Sequence, residues 1–160
     1  MQDSTIKTIQ KLKKTAPKTI QYPIQLYNQS HHVSYINKIF MDVPFEHDKL
    51  ILKEIKKKIS SYRQQDVCKN KLDVNMFVSL EDVISKLVEC KLICCYCRCK
   101  LQLLYQNTRE ESQWTLDRID NDLGHIANNV VISCLACNLK RRTTNMEKFK
   151  FTKQLKLVKL

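Results

Sequence analysis

Two short cysteine clips constrain this chain more than any other feature. Cys94 and Cys97 form one Cys-x-x-Cys, and Cys134 and Cys137 form a second with the same spacer. Each clip can hold one edge of a tetrahedral zinc ion through deprotonated sulfurs, so together they predict one closed structural site. Disulfide scaffolds also concentrate cysteine, but they belong to secreted chains, and here five of the eight cysteines crowd between Cys90 and Cys99. Metal ligation is the better reading. The register inside "CCYCRC" stays open, because Cys95 with Cys97 or Cys99 would also supply two sulfurs. Cys94 with Cys97 is preferred because its spacer repeats that of the second clip. Cys68 and Cys90 read as buried apolar thiols without metal.

At 160 residues the chain suits one compact domain with appendages and is too short for two full cores. Ile6, Ile9 and Leu12 among lysines predict a short basic helix over residues 4–14, closed by Pro17. The stretch "QYPIQLYNQSHHVSYINKIFMDVPFEH" has two prolines and no sustained period, which predicts irregular or extended chain, with His31 and His32 on the surface. In "HDKLILKEIKKKISSY", Ile51, Ile55 and Ile59 share a face opposite lysines, predicting an amphipathic helix capped by Asp48. "SLEDVISKLVEC" is the clearest helix, since Ser79 followed by Asp82 is a capping box and Val83 and Leu87 form an apolar stripe. The polar stretch from Gln64 to Asn75 marks the expected boundary. Residues 1–64 are then a basic helical or irregular extension, 65–145 the zinc-stapled module, and 146–160 a basic tail or helix.

Between the clips lies "LDRIDNDLGHIANNVVISCLACNLKR", which holds the chain's single glycine, Gly124, where a turn needs a permissive backbone. Trp114, Leu116 and Ile119 suit a strand, and Val130, Val131 and Ile132 form a second β-branched run. With "CCYC" upstream, this segment resembles HNH endonucleases of the His-Me finger superfamily, in the zinc-clipped form encoded by phages and large DNA viruses. The resemblance covers roughly residues 79–142.

That resemblance implies an α+β fold: a small ββα-metal module with a first strand ending at "LDR", a second near "NNVVIS" and a helix from "CLACN". It also implies roles. Asp117 and Asn138 would hold one catalytic divalent cation, Mg2+ or Mn2+, and Asn129 would support the base across the loop. One position departs from the family. Arg118 stands where the usual base is a histidine, and a guanidinium cannot accept a proton at neutral pH. His125 carries the only imidazole in the motif and is the expected base, while Arg118 would clamp a phosphate. Asp120 and Asp122 read as turn acids.

Charge points to the substrate class. The net charge is +12, and from Asn138 onward eight lysines and arginines face a single acid, Glu147. Such an end favours a polyanion, so Lys140, Arg141 and Arg142 are expected on a nucleic-acid backbone, with DNA the expected partner. No run of about 18 apolar residues is present, and the first residues lack a secretion-signal core. The expected setting is intracellular: cytoplasm, nucleus, or a viral factory or virion, away from membranes. Protein partners would engage the N-terminal extension. Two functions remain in view, a metal-dependent endonuclease and a non-catalytic zinc-stabilised nucleic-acid-binding or assembly module.

Overall fold

The computed structural model describes residues 21–155; the helix expected over 4–14 and the last five residues lie outside them. The fold is α+β. A 3-10 turn (Ile24–Tyr27) leads into α1 (Gln29–Phe40), α2 (Asp48–Cys68) and α3 (Leu80–Glu89). Strands β1 (Trp114–Arg118) and β2 (Val130–Cys134) then precede α4 (Leu135–Arg141) and α5 (Met146–Gln154). The strands pair antiparallel, with Trp114 opposite Cys134 and Arg118 opposite Val130. Both strands and α4 lie where the sequence placed them.

Three expectations fail in the N-terminal part. The first is the irregular stretch, most of which is helical. Asn28 caps α1 by accepting from the Ser30 N–H, and the helix turns His32 and Ile36 inward. His32 is correspondingly not a surface residue. Its Nε2 lies 2.8 Å from the Leu26 carbonyl, and its Nδ1 accepts from the Leu103 N–H at 3.0 Å. Because that amide can only donate, Nδ1 carries no proton and Nε2 is the donor. The second concerns the cap of α2, which is His47 at φ 72° rather than Asp48; Asp48 occupies the first turn.

The third is the boundary at residue 64, which falls inside α2. Ile51, Ile55 and Tyr62 of that helix join Leu87, Trp114 and Leu116 in one hydrophobic cluster. The Lys58 ammonium reaches the Gln113 side chain at 2.8 Å and also binds the Trp114 carbonyl, and the Tyr62 hydroxyl accepts from the Leu116 N–H. The extension and the zinc-clip region therefore share a core. This follows from size, since a two-stranded sheet with one short helix buries too little apolar surface alone.

At the C-terminal end, Arg142 takes φ 50° and stops α4. Asn145 restarts the chain as α5 by accepting from the Glu147 and Lys148 amides. Among the described residues, no helix is long and apolar enough to cross a membrane.

Candidate metal centre and adjoining cleft

The four sulfurs of Cys94, Cys97, Cys134 and Cys137 all lie within 4.8 Å of one another. This settles the register in favour of Cys94 and Cys97. Cys97 Sγ and Cys134 Sγ are 3.8 Å apart, and a tetrahedral zinc with Zn–S bonds of about 2.3 Å separates its sulfurs by about that distance. Local structure builds the clips. A tight turn sets the first, with Cys94 N–H donating to the Cys99 carbonyl and Arg98 at φ 64°. The second straddles the junction of β2 and α4, where Cys134 serves as N-cap and accepts from the Cys137 N–H at 3.3 Å. The Cys134 N–H in turn donates to Cys94 Sγ. Hydrogen bonds from the Cys134 and Cys95 thiols hold the Cys94 thiol far below its ordinary range. A site of four convergent sulfurs, two of them accepting backbone N–H groups, fits zinc.

One face of β1 and α4 borders a cleft of about 280 Å3, lined by Asp117, Arg118, His125 and Asn138 together with Lys69 and Arg142. Asp117 is 4% exposed and accepts three hydrogen bonds: Arg141 donates to Oδ2 through Nε at 2.7 Å and to Oδ1 through Nη2 at 2.9 Å, and the Tyr96 hydroxyl donates to Oδ2 at 2.6 Å. Three of its roughly four lone-pair sites are thus taken, leaving one on Oδ1. The Asn138 amide donates through Nδ2 to Thr115 Oγ1 and to the Leu116 carbonyl. A carbonyl can only accept, so the amide orientation is fixed and Asn138 Oδ1 is left free for the cleft. One carboxylate site and one amide oxygen form a small set of hard donors that suits a magnesium-like cation.

Arg141 corrects the sequence reading. It is 1% exposed, and its guanidinium also binds the Thr144 and Arg118 carbonyls, so it holds the site together and offers nothing to a phosphate. Asp117 raises its pKa further, against the opposing effect of burial. Arg142 is exposed on the cleft, while Lys140 is exposed on a neighbouring groove beside Leu135 and Leu139. Arg118 steadies the loop by donating to the Leu123 carbonyl at 3.1 Å.

Asn129 sits behind the loop. Its side chain accepts from Asp120 N and donates to the carbonyls of Asp120 and Gly124, bracing the turn that carries His125. Asp120 accepts from Asp122 N, so both acids are turn residues. Gly124 has no positive φ; it is needed because a Cβ would lie 2.3 Å from the Lys71 carbonyl.

Sequence reasoning missed Asp66 and Tyr96. Asp66 is 0% exposed, and its carboxylate meets both the backbone N–H and the ring Nδ1 of His125. Its signal was present, because Asp66 follows Ile51, Ile55 and Tyr62 on the buried stripe of α2, where an acid is out of place. Burial lowers the pKa of His125 below the ordinary histidine value of 6.5, while the Asp66 carboxylate pulls it back up.

No protein-family model matches this chain, and no solved structure matches it. It is 38% identical over 73 residues to "Uncharacterized protein R423" of Acanthamoeba polyphaga mimivirus, a match that takes in 46% of this chain. The chain spans 12% of that protein's length.

Proposed function

We propose that the cleft hydrolyses phosphodiester bonds and that the protein is a metal-dependent HNH-type endonuclease that nicks or cleaves DNA. The observation that carries this reading is the convergence of Asp117, Arg118, His125 and Asn138 on one cleft with basic residues at its rim. Asp117 Oδ1 and Asn138 Oδ1 would hold the divalent cation, whose chemistry is to stabilise charge on the scissile phosphate and on the leaving oxygen. Arg118, Lys69 and Arg142 would seat the phosphate backbone. His125 takes the proton of the attacking water on Nε2 as the water oxygen bonds to phosphorus. The bond from phosphorus to the leaving sugar oxygen breaks, and that oxygen is protonated by solvent.

A second reading is favoured by one observation. Arg141 already neutralises Asp117, which suits a zinc-stabilised module that binds nucleic acid or assembles without cutting it. A magnesium- or manganese-dependent nicking assay on supercoiled plasmid separates the two. Nicked circles from the wild type, abolished in Asp117→Asn, support the nuclease. Asn is preferred to Ala because it keeps the shape of the side chain and one acceptor oxygen for the buried Arg141 guanidinium; since it still removes the counter-charge, unchanged metal content and circular dichroism of Asp117→Asn are part of the test. No cutting of duplex, single-stranded or branched DNA moves the assignment to the binding module.

A further inference from the structure

Asp66 belongs to none of the residues that make the motif, yet it is the only carboxylate touching His125 among the described residues. The contact is two-pronged: Oδ2 accepts the His125 backbone N–H at 2.6 Å, and Oδ1 lies 2.8 Å from ring Nδ1. Gly124 permits this approach, since a Cβ there would come within 2.9 Å of Asp66 Oδ2. The Tyr62 ring, also on α2, lies 4.7 Å from the imidazole centroid and restricts its rotation. A carboxylate only accepts, so Nδ1 carries the hydrogen of the neutral ring and Nε2 carries the lone pair. No described residue is hydrogen-bonded to Nε2, and His125 lines the cleft.

We propose that Asp66 is the positioning residue of the site: it locks His125 in the Nδ1–H form, aims Nε2 at the attacking water, and balances the charge of the imidazolium that forms. The proposal rests on the reading of the cleft as a hydrolytic site with His125 as base. It also gives α2 a part in the chemistry, because the helix that completes the core supplies the group that orients the base.

Asparagine at this position separates positioning from mere support. The His125 backbone N–H must keep the one remaining oxygen, which turns the amide NH2 toward Nδ1 and forces the proton to Nε2. Shape is kept while the tautomer is reversed. The charge is also lost: Asp66 is the only acid facing the ring, against Lys69 on α2 and Arg118 on β1, with Tyr62 beside it. The limb of the pH–rate profile that reports the base therefore moves to lower pH in Asp66→Asn.

The experiment uses the full-length zinc-loaded protein, with long-range 1H–15N correlation of the His125 ring at about pH 8, well above the ordinary histidine value. The wild type should show the Nδ1–H tautomer and Asp66→Asn the Nε2–H tautomer. On plasmid DNA, kcat of Asp66→Asn should fall about 10²- to 10⁴-fold, with KM and zinc content unchanged. An Nε2–H tautomer in the wild type overturns the proposal, and that reading requires neither a variant nor activity. Nicking by Asp66→Asn at the wild-type kcat overturns it as well. Nicking by His125→Ala at the wild-type rate removes the base itself and overturns the proposal from below, a failure told apart by a tautomer that still reads Nδ1–H.

Discussion

At the scale of single residues, the site is organised by charges that have been buried in pairs. The Arg141 guanidinium and the Asp117 carboxylate satisfy each other in low dielectric, and either one alone is a liability. Arg141→Met should cost about 3–5 kcal/mol in denaturant unfolding, and combining it with Asp117→Leu should recover much of that loss. Additive losses in the double variant would mean that the pair is not coupled. His32 makes a second, pH-linked prediction. Burial lowers its pKa below 6.5, so below that pH the unfolded chain binds a proton that the folded protein resists. Its contribution is complete above 6.5 and is lost as pH falls toward the folded value. The stability advantage of wild type over His32→Gln should therefore shrink between about pH 7 and pH 5. An advantage that stays constant over that interval would place His32 outside the titrating set.

At the scale of elements, what could be read in advance was whatever a local rule dictates. The Ser79–Asp82 box closes as expected, with Ser79 Oγ accepting from Asp82 N and Asp82 accepting from Ser79 N. Ser79→Ala should cost about 1 kcal/mol in stability without loss of zinc; a cost near zero would mean that α3 is held by packing alone. The strands were legible because Trp114 and Leu116 and the β-branched run from Val130 suit extended chain, and α4 because the family resemblance implies a helix from "CLACN". Helix α1 was not, because its inward positions include a histidine at 32, and exposed Val33, Phe40 and Met41 blur the period. For Asp66 the acid on the buried stripe of α2 was a legible signal but its partner was not: His125 lies 59 residues away, and only the packing of α2 on the Gly124 turn brings the two together. The break at Arg142 depends on a positive φ in a non-glycine residue, which no local pattern signals.

At the scale of the whole molecule, the four-cysteine cluster and the cleft are two ends of one construction. Cys134 ends β2 and caps α4, so the cluster fixes the helix that carries Asn138 and the strand against which β1, with Asp117, is paired. Because the N-terminal helices share that core, chelating the zinc should unfold the described chain as one unit, with metal release and loss of helical circular dichroism coinciding. A helical signal that survives complete zinc removal would separate the two halves. Charge then decides how nucleic acid would lie on this frame. Lys69, Arg118 and Arg142 line the cleft, whereas Lys140 lies on the groove beyond Leu139 and Arg141 is spent inside. On a duplex seated in the cleft the first group displaces counterions from the phosphates, so Lys69→Ala and Arg142→Ala should each flatten the dependence of log affinity on log salt by about 0.9. Lys140→Ala maps the path: an equal flattening means that the backbone crosses α4 and uses both faces, and no change confines it to the cleft. If neither Lys69→Ala nor Arg142→Ala alters the slope, the phosphates run elsewhere, and the cleft loses its claim to be where DNA is cut.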